Sequence, residues 1–253
     1  MHKNRNNPES PVALVTGAAL RIGAAIVTRV HAAGYRVVLH YHRSESAALA
    51  LASTLNAQRP DSVRILPADL LDKTAVMALA QQALDQWQRV DLLVNNASMF
   101  YPTPLQSITS KDWDNLSGSN AVAPLWLAQQ LAPALSASQG CIVNITDSTA
   151  ELGVGKFTPY TMAKAALSNM TRSLARELAP TVRVNAVAPG VILWPEYAGG
   201  ISEEEKTQRL NNTALGCAGT AADIAEAVLF LANASYITGQ VLRVDGGAAL
   251  YHH

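Results

Sequence analysis

The chain has 253 residues, 49% of them hydrophobic and 15% charged, with a formal net charge of zero. That length gives one large α/β domain or two small ones with ample core. The balanced charge, with no basic patch, argues against nucleic acid as a partner. No apolar run is long enough to span a membrane, and residues 1–10 are polar and lack the apolar core of a signal peptide. A disordered tail over 1–10 and a cytoplasmic location are therefore expected. Cys141 and Cys217 lie far apart in sequence, which speaks against a disulfide framework. No metal site is expected.

Short β-branched runs alternate with longer helical patterns. Strands are expected at Val12–Thr16, Arg36–Tyr41, Val63–Pro67, Asp91–Asn95, Cys141–Thr146, Arg183–Ala188 and Gln240–Val244. Helices fit between them at Ile22–Ala33, Ser46–Gln58, Lys73–Gln86, around Ala121–Ala137, at Pro159–Leu178 and at Ala221–Ala232. Near-continuous apolar strands, each followed by a helix, imply a parallel sheet covered on both faces. The expected fold is one α/β domain over 11–253, a Rossmann-like doubly wound sheet of about seven strands, with ligands at the carboxyl ends of the strands. Residues 149–158 and 191–219 carry the weakest patterns, and both follow strands, so both are placed to cover a pocket. Within the second, Ser202-Glu203-Glu204-Glu205 has the cap-and-acid start of a lid helix over Glu203–Asn211.

The carboxyl ends of the strands hold the chemistry-bearing residues. The first ends in Thr16-Gly17-Ala18-Ala19-Leu20-Arg21-Ile22-Gly23 and opens into a helix. Small residues there let the backbone approach a pyrophosphate, and the helix N-terminus supplies amides and partial positive charge. Arg21 is either a ligand for a phosphate or electron-rich substrate or a solvent-facing side chain. After the second strand, where an acidic residue would take the ribose hydroxyls of NAD, the chain has His42, Arg43 and Ser44. These donors favour a 2′-phosphate and hence NADP(H); the histidines taken alone read as surface residues. Asp69-Leu70 can hold the adenine amino group, an N-cap role for Asp69 or Asp72 being an equal alternative.

The fourth strand runs into Asn95-Asn96-Ala97-Ser98, whose amides can tie strands together and line the cleft, followed by Phe100. Phe100 can stack on a planar substrate or pack in the core. Asn120 lies near the start of the long helix, Asp147 follows the fifth strand, and Pro189-Gly190 forms the turn after the sixth, placed for the nicotinamide end. Tyr160 and Lys164, four residues apart in a helical pattern, share one face. An ammonium near a phenol lowers its pKa and suits it to proton transfer. A structural cap or salt bridge is the alternative for Asp147.

In order, these motifs resemble the short-chain dehydrogenase/reductase family over essentially Pro11 to Gly247. The resemblance implies that Lys164 holds the nicotinamide ribose and lowers the Tyr160 pKa, while Asn120 supports a water in a proton relay. It adds Gly17, Arg21, Ile22, Gly23, Asn96, Ala97, Ser98, Pro189 and Gly190 to the cofactor contacts. Two departures refine it: Arg21 stands where most members have glycine, and Asp147 where most have a serine thirteen residues before the tyrosine. With His42-Arg43-Ser44 and the run through Phe100, these resemble the pteridine reductases, including their bacterial dihydropteridine-reducing relatives. That implies NADPH-dependent reduction of pterin or folate rings in a homotetramer, with Arg21, Ser98, Phe100, Asp147 and Tyr160 around the substrate.

The chemistry agrees. A serine hydroxyl donates to a ketone oxygen, whereas an ionised carboxylate only accepts; Asp147 suits a ring carrying N–H and amino donors. A carbonyl or alcohol reductase with an unusual aspartate is the alternative enzyme. A silent NADP(H)-binding sensor is the alternative from another class, against which intact Tyr160, Lys164 and Asn120 count. Trp194, Glu196 and Tyr197 are expected to shape the outer end of the pocket.

Overall fold

The computed structural model describes residues 10–150, 152–194 and 201–251. The expected tail, apart from Ser10, lies outside them, as do Glu196 and Tyr197. Seven strands form one parallel sheet: β1 (Val12–Val15), β2 (Arg36–Tyr41), β3 (Val63–Pro67), β4 (Leu92–Asn95), β5 (Cys141–Ile145), β6 (Arg183–Pro189) and β7 (Val241–Val244). Their order, β3-β2-β1-β4-β5-β6-β7, reverses between β1 and β4, which is where a doubly wound sheet opens its ligand crevice.

Alternation along the buried strands gives each face its own helices. Ala13 and Val15 of β1, with Val37 and Leu39 of β2, pack against α1 (Arg21–Ala32), α2 (Glu45–Gln58) and α8 (Ala221–Asn233). Val12, Leu14 and Val38 point the other way, toward α3 (Lys73–Trp87), α5 (Ala123–Ala137) and α6 (Thr158–Glu177). The outer α1–α8 pair is held by its apolar faces and by an Arg29–Glu226 ion pair. Asp72, rather than Asp69, caps α3, its side chain accepting from Thr74 N at 2.7 Å. The expected helix in the 191–219 segment is present as α7 (Glu203–Asn211), closed by a Ser202–Glu205 capping box.

Two elements differ from expectation. An additional helix, α4 (Ser110–Ser117), precedes the long one; it starts at a Thr109–Asp112 capping box and buries only Leu116. Between α4 and α5 the chain makes a π-helical turn over Gly118–Val122, which holds Asn120. Side chains explain the widening: Ser117, Ser119 and Asn120 donate to the carbonyls of Trp113, Asn115 and Leu116, each four residues back. Those acceptors are thereby shared, and the Ala123 amide bonds to Gly118 O, five residues back.

Behind the crevice, buried amides join the central strands to the site helix. Asn95 Nδ2 donates to Asn144 Oδ1 at 2.8 Å, and Asn144 Nδ2 donates to Thr171 Oγ1 at 2.9 Å. Asn144 is fully buried, so truncating it strands polar partners without solvent. Asn144→Ala is expected to lower the unfolding free energy by about 2–4 kcal/mol, measured by urea titration; a loss under about 0.5 kcal/mol contradicts a structural role for this chain.

Candidate active site

The glycine-rich turn after β1 is set from both sides. Gly17 has φ +58°, and a side chain on it would meet Ala97. Gly23, buried in the first turn of α1, lies so close to Gly17 O that a Cβ there would collide with backbone. Asn96 Nδ2 donates to both Thr16 O and Gly17 O at 2.9 Å, and the Asn96 and Ala97 amides donate to Thr16 Oγ1 at 3.0 Å. Ile22 packs inward against the core of that face. The result is a tight turn before a helix N-terminus, where backbone amides can meet an anion.

His40 is the main departure from expectation in this region. It is not a surface residue but is buried at the end of β2, where Nδ1 lies 3.1 Å from the Gly17 amide and Nε2 3.2 Å from Ala68 O. Burial pushes its pKa down to about 4, against the opposing pull of the Ala68 carbonyl, with His42 nearby adding to the lowering. His42 and Arg43 are exposed at the mouth and Ser44 is half-buried at the start of α2. His42 approaches Asp69 to 3.8 Å; Asp69 also accepts from the Leu71 amide, and Leu70 turns in against the core.

At the other end of the crevice the proposed reacting groups come together. Tyr160 Oη donates to Asp147 Oδ2 at 2.7 Å, across the gap between α6 and the end of β5. The other carboxylate oxygen accepts from Thr149 N at 2.8 Å and Thr149 Oγ1 at 2.6 Å, which fixes the plane of Asp147. Asp147 is thus both a turn former and a partner of the tyrosine. Lys164, one turn along α6, is buried and donates from Nζ to Ile145 O at 2.8 Å; it sits 5.8 Å from the centre of the Tyr160 ring. Asn120 is fully buried, accepting from Ser98 Oγ at 2.7 Å and donating to Met99 O at 2.9 Å. Pro189 and Gly190 close β6 beside Val244 and Asp245.

The electrostatics correct one expectation. The Tyr160 phenol is not lowered: burial, and then the charge and hydrogen bond of Asp147, raise it well above its ordinary value. The carboxylate is in direct contact, while the ammonium is held off by the Ile145 carbonyl. Lys164 itself is pushed down to about 8 by burial, with Asp147 opposing. Tyr160 is therefore a protonated donor at neutral pH.

Phe100 is half-exposed, stacked on Phe157 at 4.7 Å and edge-on to Tyr160 at 4.8 Å. Phe157 was not among the expected site residues. Arg21 takes φ +55° and donates to Trp194 O at 3.0 Å, so its side chain spans from the glycine-rich turn to the segment after β6. Of the groups sequence reasoning missed, His40 had a signal, a polar residue in an otherwise apolar strand; Thr149 and Phe157 had only their place in the weakly patterned stretch 149–158.

A crevice at the switch point, a tight glycine turn at a helix N-terminus and a buried tyrosine–lysine pair define a dinucleotide-dependent oxidoreductase architecture. The family model described as enoyl-(acyl carrier protein) reductase matches residues 17–249. Pteridine reductase 1 of Leishmania tarentolae is 38% identical, over 96% of this chain and 98% of its own length. A putative ketoacyl reductase of granaticin polyketide synthesis from Streptomyces violaceoruber is 36% identical, over 96% and 98% respectively. A 3-oxoacyl-[acyl-carrier-protein] reductase of Staphylococcus aureus is 35% identical, over 93% and 96%. The chain belongs to the short-chain dehydrogenase/reductase family of oxidoreductases.

The His40 shift has a measurable consequence. Because the folded pKa lies below the unfolded value near 6.5, the unfolded chain takes up this proton first as pH falls. The contribution is complete above pH 6.5 and is lost between 6.5 and about 4, by on the order of 3 kcal/mol. Unfolding free energies measured over that window should fall more steeply for the wild type than for His40→Asn. Parallel slopes would show that His40 titrates normally in the fold.

Proposed function

We propose that the protein is an NADPH-dependent reductase of pterin-type substrates: biopterin, a dihydropterin such as dihydrobiopterin or dihydromonapterin, or dihydrofolate. The Tyr160–Asp147 hydrogen bond carries this reading. Where a carbonyl substrate needs a donor beside the tyrosine, this chain supplies a carboxylate, which as an anion only accepts. A pterin ring offers N–H and amino donors to it. Reducing a ring C=N bond adds hydride to carbon and a proton to nitrogen. When bound, NADPH supplies the hydride. Tyr160, kept protonated by its surroundings, delivers the proton, with Asp147 orienting the phenol and relaying its replacement. The half-exposed Phe100, backed by Phe157, offers an aromatic wall to a flat ring.

Cofactor binding is assigned to the same cleft. Gly17 and Gly23 let the turn close tightly on its own backbone, so that its amides would meet a pyrophosphate, with Ile22, at the helix start, and Arg21 beside it. His42, Arg43 and Ser44 would hold a 2′-phosphate, Asp69 and Leu70 the adenine, and Asn96, Ala97, Ser98, Lys164, Pro189 and Gly190 the nicotinamide half. Asn120, through Ser98, positions that wall. Exposed Leu125 and Met162, on α5 and α6, support the homotetramer built on those helices.

The ketoacyl-reducing relatives favour a second reading, reduction of a carbonyl. NADPH oxidation with a panel of oxidised pterins, dihydropterins and β-ketoacyl substrates separates the two. Asp147→Ser should lose pterin turnover under the first reading and keep or gain ketone turnover under the second. Wild-type protein inert toward every pterin removes the first. Tyr160→Phe should lower kcat by at least about a hundredfold while NADPH binding changes little; collapse of binding instead would make Tyr160 structural.

A further inference from the structure

His40 holds two loops at once. The Gly17 amide bonds to its Nδ1 and the Ala18 amide to its backbone carbonyl at 2.8 Å, so two successive residues of the glycine-rich turn are anchored to one residue of β2. The far side of the ring meets Ala68 O, just before Asp69-Leu70. The polarity of these partners leaves one protonation state. A backbone N–H only donates, so Nδ1 carries no proton; a carbonyl only accepts, so Nε2 carries one. A buried, neutral imidazole in a single tautomer thus bridges the turn after β1 and the turn after β3.

The carbonyl of the same residue is held by Asn96, whose Nδ2 donates to Gly17 O. Gly17 is thereby fixed at both its amide and its carbonyl, in a left-handed conformation that an unrestrained glycine leaves freely. Fixing that residue decides where the following amides and the N-terminus of α1 point. Fixing Ala68 decides where Asp69 and Leu70 stand relative to them. The pyrophosphate-facing turn and the adenine-facing turn are therefore set at one spacing by one side chain.

We infer that His40 is a positioning residue for the dinucleotide, pre-organising the adenosine half of the cleft rather than touching the reacting atoms. This rests on the reading of the cleft as an NADP(H) site. Ordering the two turns before binding removes an ordering cost that would otherwise be met on association. His40 therefore governs cofactor affinity and leaves the chemical step alone.

Two variants separate this from ordinary core packing. His40→Leu removes both ring bonds while keeping an apolar side chain. His40→Asn keeps an acceptor where Nδ1 stands and gives up the bond to Ala68. NADPH affinity is measured by fluorescence titration, with steady-state KM and kcat for NADPH and for the second substrate, and thermal midpoints as a control. The Leu variant is expected to raise Kd and KM for NADPH by about tenfold, with kcat and the second KM within about twofold. The Asn variant should fall between it and the wild type. His40→Phe, which keeps the ring shape without the nitrogens, takes the place of the Leu variant if that one does not fold. A folded Leu or Phe variant that binds NADPH as wild type does overturns the inference, as does a loss confined to kcat. Wild-type protein that binds no NADPH overturns the cofactor reading itself and this inference with it, a result distinct from indifference of the variants.

Discussion

Every strand of the sheet runs in the same direction, and most features of the site follow from that constraint. Parallel pairing places all seven carboxyl ends along one edge, and the reversal of order between β1 and β4 splits the loops there into two sets. Residues remote in sequence, from Gly17 through Ser98 and Asp147 to Gly190, come to one crevice without any long excursion of the chain. The Thr16–Asn96 bonds and the Asn95–Asn144–Thr171 chain tie the central strands together with hydrogen bonds. Such bonds are directional, so they hold the loops at defined spacings as apolar contacts alone do not.

Within that frame, the reacting end is built from groups that oppose one another. Burial disfavours the ammonium of Lys164 and the phenolate of Tyr160 alike, and Asp147 acts against the first tendency while reinforcing the second. The fold tolerates a buried cation because the Ile145 carbonyl accepts from it and the charge of Asp147 favours it. It keeps the tyrosine protonated by burial first and then by the carboxylate in direct contact with it. Both choices cost stability compared with an apolar core of the same volume, and both produce a proton donor beside an acceptor. Conflicts between local preference and structure are expected to gather where chemistry is done.

Much of the fold is legible in the chain because buried parallel strands are near-continuous apolar runs, and seven of them are separated by helix-length segments. α4 was not legible: its sequence is polar and it buries one leucine, so no apolar period marks it, although Thr109 and Asp112 form a capping pair. The π turn depends on three side chains reaching back to carbonyls, which no propensity reports. At the site, the shared helix face of Tyr160 and Lys164 and the place of Asp147 after β5 were legible, and the structure brings the three side chains together. The direction of the tyrosine shift was not, since burial, its largest cause, and then the contact with Asp147 follow only from the packing. The burial of His40 was not legible either: His42 and Arg43, just past the end of β2, are exposed, whereas His40 lies within a strand covered on both faces.

Arg21 shows how such a departure can be self-consistent. A non-glycine residue at φ +55° carries a backbone cost on the order of 1 kcal/mol. Glycine would avoid that cost, so the arginine side chain must return something glycine does not. Its guanidinium reaches the Trp194 carbonyl, at the far side of the crevice, and Lys206 of α7 lies over the Trp194 ring at 5.7 Å. The glycine-rich turn, the segment after β6 and α7 are thus joined through Arg21 and Trp194. An anion arriving at the turn would compete with the Trp194 carbonyl for the same guanidinium, because a charged acceptor is the stronger partner. The strained backbone of Arg21 is the feature that holds its guanidinium where it reaches from the glycine-rich turn to Trp194.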